Sequence, residues 1–287
     1  MISEVWLVTG ASRGLGRAIV RAALEAGHRV VATARNIQSI EATFDDVPTD
    51  RLLPAKLDVT DLEQARQVAQ AAVGAFGHVD VLVNNAGYGQ FSAFEELTPD
   101  DVRAQFDTNL FGLMNVTRAV LPLMRAQRSG RIFNVASMGG YRGGSLGSAY
   151  AASKFAVVGF TESLAAEVAE FGIRVTVVAP GYFRTDFLDP SSAKFGSGAP
   201  IPDYAGSTEA RRKSYADINH AQEGDPAKLG RALVELANTD KPPVHFPVGR
   251  DAVEVITEHH RCVLDEIAAW RGLSETTSYD ETPAQST

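Results

Sequence analysis

Residues 4–16 read EVWLVTGASRGLG, a short apolar run followed directly by glycines at positions 10, 14 and 16. The run 4–9 is typical of a buried strand, and residues 17–26 predict the helix that follows it. Glycines in such a turn let the backbone approach a pyrophosphate closely and let the helix pack tightly on the sheet. The helix N-terminus adds unpaired N–H groups and a positive dipole end. The sequence therefore predicts a phosphate-binding turn, although its G-x-x-x-G-x-G spacing differs from the common G-x-G-x-x-G.

The same alternation of short apolar runs and longer amphipathic stretches continues along the chain. Unbroken apolar runs indicate strands buried on both faces, and helices between them imply right-handed parallel crossovers. The pattern predicts an α/β, Rossmann-type fold, a doubly wound three-layer sandwich around a parallel sheet of about seven strands. Further strands are predicted at 29–33, 52–57, 79–83, 131–136, 174–178 and 244–247, and further helices at 61–76, 100–128, 148–171, from Pro226 onward, and at 251–270.

The pattern contains no linker-like change in composition that would divide the chain. Residues 1–272 are therefore predicted to form a single domain. Residues 186–222 are rich in Gly, Pro, Ser and Ala and predict a long substrate loop, since connections of that length are usually functional. The polar residues 273–287 are expected to form a flexible C-terminal tail.

Composition excludes several classes of protein. With 45% hydrophobic and 22% charged residues, the 287-residue chain can bury a full core, which excludes a disordered or fibrous protein. A net charge of −8 disfavours nucleic acid as a partner, and no apolar run approaches the roughly 18 residues that a membrane span needs. Cys262 is the single cysteine, and His259-His260 has no third ligand nearby, so no metal site is expected. We expect a cytoplasmic protein without a secretion signal.

Two arginines indicate which dinucleotide would bind. The second strand is followed by Arg35, where an NAD site usually carries an acid for the ribose 2′-OH. Together with Arg13 in the turn, Arg35 can clamp a 2′-phosphate, which favours NADP(H) over NAD. Asp58 and Val59, after the third strand, fit an adenine contact, and residues 84–87 (Asn-Asn-Ala-Gly) would line the same sheet edge.

A tyrosine, a lysine and a serine are spaced for acid–base chemistry. Tyr150 and Lys154 lie four residues apart at the start of a predicted helix and therefore share one face. A nearby ammonium stabilises phenolate and would lower the pKa of the tyrosine from its usual value near 10. Ser137, at the end of the preceding strand, can orient a substrate oxygen.

Taken together, these motifs resemble the classical type of the short-chain dehydrogenase/reductase family. The resemblance spans about residues 4–250 and rests on Thr9-Gly10-x-x-x-Gly14-x-Gly16, Asn84-Asn85-Ala86-Gly87, Asn109, Ser137, Tyr150-x-x-x-Lys154 and Pro180-Gly181. It implies an NADP(H)-dependent oxidoreductase acting on a carbonyl/alcohol pair, assembled as a homo-oligomer, either a dimer or a tetramer.

The resemblance also implies a role for each matching position. Tyr150 would be the acid/base, Ser137 would orient the carbonyl, Lys154 would bind the nicotinamide ribose, and Asn109 would hold a water of a proton relay. The cofactor-binding residues would be Gly10, Ser12, Arg13, Gly14, Leu15, Gly16, Arg35, Asp58, Val59, Asn85, Ala86, Gly87, Tyr150, Lys154, Pro180, Gly181, Phe183 and Thr185.

The side chains expected around the substrate are apolar, which suits a hydrophobic ketone or aldehyde. Met138, Tyr141, Phe187 and Leu188 are the predicted substrate contacts. Three alternatives stay open: a reductase of ketones carried on acyl carrier protein, a dinucleotide-binding redox sensor without catalysis, and an epimerase or dehydratase that retains its cofactor. An intact Tyr150–Lys154 pair argues against the sensor.

Overall fold

The computed structural model describes residues 3–279, and its centre is a seven-stranded, all-parallel sheet. The strands are β1 (Val5–Val8), β2 (Arg29–Ala34), β3 (Leu52–Lys56), β4 (Val81–Asn84), β6 (Gly130–Val135), β7 (Ile173–Pro180) and β9 (His245–Val248), and a separate parallel pair consists of β5 (Gly89–Gln90) and β8 (Ala193–Lys194). The order in the sheet is β3-β2-β1-β4-β6-β7-β9. The strand order therefore reverses between β1 and β4, where a doubly wound fold binds its ligand.

Helices cover both faces of the sheet. They are α1 (Gly14–Glu25), α2 (Ile37–Thr43), α3 (Leu62–Phe76), α4 (Pro99–Phe106), α5 (Leu113–Gln127), α6 (Ser148–Val168), α7 (Ala205–Ile218), α8 (Pro226–Ala237) and α9 (Arg250–Glu275). Helices α1, α2 and α8 pack on one face, whereas α3, α5 and α6 pack on the other. The predicted three-layer Rossmann-type fold is confirmed.

The first strand shows how the apolar run creates two cores. Successive strand side chains point to opposite faces. Trp6 and Val8 pack against α1 and α8, whereas Val5 and Leu7 pack against α3 and α5. All four side chains are fully buried, so β1 needs no polar alternation.

The predicted helix at 100–128 is interrupted. Helix α4 ends at Phe106, a π-helical turn spans Asp107–Gly112, and α5 then begins at Leu113. A π-helical turn widens the backbone hydrogen-bonding pattern and occurs frequently at functional sites. Asn109 lies within it.

The C-terminal half differs from the sequence prediction in two places. The stretch 186–222, predicted as a loop, contains the 14-residue helix α7. Its apolar content is low and only Tyr215 is buried within it, so hydrophobic periodicity could not reveal it. Helix α9 continues to Glu275, past residue 273 where the flexible tail was expected to begin, and residues 280–287 of that tail lie outside the described residues. Across 3–279, none of the helices combines the length and apolarity that crossing a bilayer requires.

Candidate active site

A cavity of about 900 Å³ lies at the carboxyl edge of the sheet. Residues following β1, β2, β3, β4, β6 and β7 all contribute to its wall. Parallel strands end at a common edge, and the loops beyond that edge form the ligand crevice in open α/β sheets. The predicted cofactor residues line this cavity except Gly16, which lies behind the turn.

The glycine turn has the backbone geometry that the sequence predicts. Gly10 and Gly14 have φ values of 64° and 55°, in the left-handed region where a side chain is disfavoured. A Cβ at Gly16 would overlap the carbonyl oxygen of Gly10, so this position requires glycine. Asn85 fixes the turn by donating from Nδ2 to the carbonyl oxygens of Thr9 and Gly10, at 2.9 and 3.1 Å.

The start of α1 is suited to an anion. Arg13 occupies the position before the helix and its side chain forms no capping hydrogen bond with the helix backbone. Within residues 3–279, the first-turn N–H groups thus lack a side-chain cap and face the cavity with the positive end of the helix dipole. The turn and the helix fit a dinucleotide pyrophosphate.

The two arginines predicted to recognise a 2′-phosphate occupy different environments. Arg35 is exposed at the cavity wall. Arg13 reaches across the cleft and donates to the hydroxyls of Ser191 and Ser192, both at 2.7 Å. Asp58, predicted to contact adenine, accepts from the amide and hydroxyl of Thr60 at 3.0 and 2.7 Å.

Ser137 and Tyr150 lie side by side around Gly139. A Cβ added at Gly139 would be 3.5 Å from Ser137 Oγ and 3.3 Å from Tyr150 Cε1. Ser137 lies two residues beyond the end of β6, and its hydroxyl accepts from Gly139 N at 3.1 Å. Tyr150 is on the first turn of α6. Residues thirteen positions apart in the sequence therefore present their hydroxyl groups to one region of the cavity.

The side chains of Lys154 and Asn109 both lie beside Gly87. A Cβ added at Gly87 would be 3.1 Å from Asn109 Oδ1 and 3.6 Å from Lys154 Nζ. Lys154 is buried and donates to the carbonyl oxygen of Val135 at 2.8 Å. The side chain of Asn109 is buried as well. Its Oδ1 accepts from Tyr88 N at 3.1 Å, and its Nδ2 donates to Tyr88 O at 3.0 Å.

The electrostatics differ from the sequence prediction in one respect. The ammonium of Lys154 was expected to lower the pKa of Tyr150, but burial dominates and raises that pKa, while the Ser137 hydroxyl acts in the opposite direction. Burial also lowers the pKa of Lys154 to about 8. Tyr150 is consequently a neutral phenol at neutral pH, the form that donates a proton.

Apolar and aromatic side chains enclose the Tyr150 end of the cavity. Met138, Phe187 and Leu188 line it as predicted. The ring of Phe91 lies 5.2 Å from that of Tyr150 and 5.1 Å from that of Tyr215. This wall fits the prediction of a hydrophobic substrate.

Tyr141 was predicted to contact substrate, but it is not among the residues that line the cavity. Its side chain points away from the cavity into the core beside α6 and α9, where it packs with Val157 and Ile256. Its hydroxyl lies 2.7 Å from His245 Nδ1 on β9. The short 3-10 turn Met138–Gly140, which follows Ser137, directs the side chain of residue 141 away from the cavity. Residue type alone did not indicate this direction.

Several cavity residues were not singled out from the sequence. They include polar and charged side chains whose spacing matches no motif, namely Tyr88, Arg142, Lys194, Arg211 and Gln222. The pairing of β5 with β8 brings residues 193–194 of the long connection over the cavity, with Gly89 N donating to Ser192 O at 2.9 Å. Two-residue strands leave no detectable sequence pattern.

Comparison with known proteins identifies the family. The model of the short chain dehydrogenase family matches residues 4–195. "Oxidoreductase BOA17" of Botryotinia fuckeliana is 38% identical over 277 residues, covering 95% of this chain and 98% of that protein. A short-chain dehydrogenase from Streptomyces avermitilis is 41% identical, with a TM-score of 0.87 and coverage of 96% of this chain and 100% of that one.

Solved structures of more distant relatives contain nucleotides. ElxO with NADP bound is 26% identical, has a TM-score of 0.73 and covers 88% of this chain and 100% of its own. A further solved relative, 25% identical, is in complex with NADH. The family model matches about two thirds of the sequence, and Ser137, Tyr150 and Lys154 lie within the matched residues. The chain therefore belongs to the short-chain dehydrogenase family and is an oxidoreductase acting on a CH–OH/C=O pair.

Proposed function

We propose that the protein is an NADP(H)-dependent reductase of a hydrophobic ketone or aldehyde, with Tyr150 as the proton donor. The observation that carries this proposal is the grouping of Tyr150, Ser137 and Lys154 around the end of one cavity whose other end is the glycine turn. The glycine turn, the uncapped helix start and the cavity size fit a dinucleotide. A bound nicotinamide would supply the hydride chemistry.

Ser137, Tyr150 and Lys154 have separate roles in the proposed proton transfer. Ser137 donates a hydrogen bond from its hydroxyl to the carbonyl oxygen and holds that oxygen beside the Tyr150 hydroxyl. Tyr150, held as a neutral phenol by burial, transfers its proton to that oxygen as negative charge develops. Lys154, fixed by the Val135 carbonyl, places its positive charge next to the phenolate that forms. The aromatic wall formed by Phe91 and Phe187 excludes water from this region.

Replacing Tyr150 by Phe tests the assignment. We expect turnover with a ketone substrate to fall by about 10²–10⁴-fold, since the proton donor is lost. The dissociation constant for NADPH, measured by its fluorescence, should stay within about twofold of wild type because the ring remains in place. Tyr141→Phe is the matched control and should keep most of its activity. Turnover near the wild-type level in Tyr150→Phe would exclude the proposed role.

The preference for NADP(H) rests on Arg35 and Arg13, the cations at the cavity wall nearest the end of β2. Arg35→Ala should lower kcat/KM for NADPH about tenfold, because a charge-assisted hydrogen bond to phosphate is removed. The kcat/KM for NADH should change little. Equal losses with both nucleotides would contradict recognition of a 2′-phosphate.

The substrate class follows from the wall around Tyr150. It is largely aromatic, and among the relatives the 3-ketodihydrosphingosine reductase of Bacteroides thetaiotaomicron, 37% identical over 249 residues, is named for a long-chain ketone. We therefore favour apolar ketones over acyl groups on a carrier protein, although a 3-oxoacyl-[acyl-carrier-protein] reductase of Vibrio cholerae is 35% identical over 237 residues. A panel of alkyl ketones, steroids, quinones and acyl thioesters, followed by NADPH oxidation, separates these substrates.

We also propose that the chain forms a homo-oligomer. Phe111 and Phe155 are about half exposed, and α9 exposes Leu264, Ile267 and Trp270. Leu264, Ile267 and Trp270 recur every three residues along one side of α9, and apolar residues grouped in this way mark subunit contacts. Light scattering coupled to gel filtration gives the molar mass, and a value of 30.7 kDa would contradict assembly.

A further inference from the structure

Two arginines line the cavity on the side of α6 and α7. Arg142 lies just beyond the 3-10 turn that follows Ser137, and Arg211 is on α7. Arg211 is half-buried and donates from Nη2 to the carbonyl oxygen of Ser145 at 2.8 Å. This bond fixes its guanidinium at the cavity wall, next to the segment that carries Arg142.

These two cations have no acidic partner. Within residues 3–279, neither Arg142 nor Arg211 forms an ion pair with a carboxylate, whereas Arg21 donates to Asp46 at 2.6 Å. The acidic residues of the cavity wall, Asp58 and Asp186, do not reach them. A cavity that holds a fixed guanidinium without a counter-charge is suited to an anionic group of a ligand.

Aromatic rings connect Arg211 with the proton donor. The guanidinium carbon of Arg211 lies 5.4 Å from the centre of the Tyr215 ring. That ring is 5.1 Å from the ring of Phe91, which is in turn 5.2 Å from the ring of Tyr150. All four side chains line the same cavity, so the rings form an apolar path from the Tyr150 phenol to the cation.

The charge of Arg211 acts on the aromatic end of the cavity. Burial raises the pKa of Tyr215 to about 12 and raises that of Tyr182 as well, and the positive charge of Arg211 opposes the rise at both. The same two phenols act electrostatically on Tyr150. Arg211 therefore directs its field toward the site of proton transfer as well as toward solvent.

We propose that Arg211 binds a carboxylate at the end of the substrate remote from the ketone, so that the preferred substrates are oxo acids with an apolar chain. This inference rests on the proposed function and specifies its substrate class. The bond to Ser145 uses one of the five guanidinium N–H groups, and paired N–H groups of arginine match the two oxygens of a carboxylate. Arg142 adds a second positive charge to the same wall. Arg211 determines specificity and takes no part in the proton transfer.

The test uses methyl ketones of graded chain length that end in a carboxylate, each compared with its own methyl ester, with reduction followed by NADPH oxidation. For the best chain length, wild type should show a kcat/KM about tenfold higher for the oxo acid than for its ester, since a charge-assisted contact at a half-buried site is gained. Arg211→Gln should lower kcat/KM for the oxo acid about tenfold, chiefly by raising KM, because the contact is made equally in ground and transition states. Its kcat/KM for the ester should stay within about twofold of wild type, which also reports that the variant is folded.

Two further variants and a salt series serve as controls. Lys213→Gln removes the same charge two residues along α7, at an exposed position that does not line the cavity, and should match wild type with both substrates. Arg211→Lys keeps the charge but loses the planar fork, so its preference for the oxo acid should be intermediate. Raising the salt concentration to about 0.5 M should reduce the preference of wild type through screening and leave Arg211→Gln unchanged.

Several results would overturn the inference. Wild type that reduces an oxo acid and its ester equally well would remove it and leave the reductase assignment intact. An equal loss with both substrates in Arg211→Gln would assign Arg211 a structural role, and an equal loss in Lys213→Gln would show general attraction by the surface charge. If wild type reduces none of the ketones with either nucleotide, the proposed function fails first, and the inference fails with it.

Discussion

Lys154 illustrates how a functional residue can oppose stability. Its ammonium is buried beside Gly87 and Val135, and burial lowers its pKa to about 8 from the usual 10.5. Below pH 8 the folded protein therefore carries a charged group that would be better solvated in the unfolded chain. Between pH 8 and 10.5 the unfolded chain holds more protons, so this penalty declines as pH rises.

Replacing Lys154 by Met should therefore stabilise the nucleotide-free protein at pH 7. Relief of the buried charge outweighs the lost hydrogen bond to Val135, and we expect a net gain in unfolding free energy of about 1–2 kcal/mol. The gain should shrink when urea unfolding is repeated at pH 9.5, and activity should be lost at both values. A variant less stable than wild type at pH 7 would contradict the inference that the buried Lys154 ammonium destabilises the folded protein.

Some residues of the site could be predicted from the sequence, whereas others could not. Tyr150, Lys154 and Ser137 were identifiable because helix spacing and strand ends fix their relative positions. Tyr141 was misplaced because a single short turn decides which way a loop side chain points. Gln222 lines the cavity but belongs to no motif, so only the structure identifies it.

At the level of elements, two helical glycines have opposite consequences. Gly230 on α8 lies against α1, and a Cβ there would come 2.7 Å from the Ala18 carbonyl oxygen and 2.9 Å from Ala22 Cβ. Gly159 on α6 is exposed, and a Cβ there would meet nothing within 4 Å. The close approach of α1 and α8 therefore requires glycine at position 230.

Alanine at these two positions should change stability in opposite directions. Gly159→Ala should stabilise by about 0.5–1 kcal/mol through helix propensity. Gly230→Ala should destabilise by about 1–3 kcal/mol because the added methyl forces the helices apart. Urea unfolding of the two variants gives the comparison, and a stabilised Gly230→Ala would contradict the close contact between α1 and α8.

Strands and most helices were predictable because buried parallel strands are unbroken apolar runs and their boundaries carry glycine or capping residues. Asp61, for example, caps α3 by accepting from Glu63 N and Gln64 N, and Gly77 ends it with a φ of 89°. Helices α2 and α7 and the π-helical turn at Asp107–Gly112 were missed. Helix α2 has only seven residues, and α7 has little apolar periodicity. The π-helical turn differs from an α-helix by one residue in its hydrogen bonds.

For the whole molecule, the distal half of α9 contributes little to the core. Ile256 is the last buried residue of α9, and the helix continues for nineteen residues beyond it, to Glu275. Trp270 is 65% exposed, in contrast to Trp6, which is fully buried. The buried part of α9 is therefore confined to the first half of the helix.

Deleting residues 264–287 should leave the folded body intact. Its described portion, residues 264–279, buries little apolar area, so the melting temperature should change by no more than about 2 °C. Ile256→Ala, by comparison, should cost about 2–4 kcal/mol through the cavity it leaves. Thermal unfolding monitored by Trp6 fluorescence measures both, and a large loss from the truncation would show that the distal helix is covered in the assembled protein.

The contact of Arg13 with Ser191 and Ser192 has a kinetic consequence. While these bonds are formed, the guanidinium bridges the rim of the crevice, and three of its five N–H groups are directed at the two serines instead of a phosphate. A dinucleotide that recruits Arg13 must break the bridge, and the chain around residue 191 can then settle over the occupant. Turnover should accordingly follow a compulsory order, coenzyme first and carbonyl compound second, with the oxidised coenzyme inhibiting competitively against the reduced one.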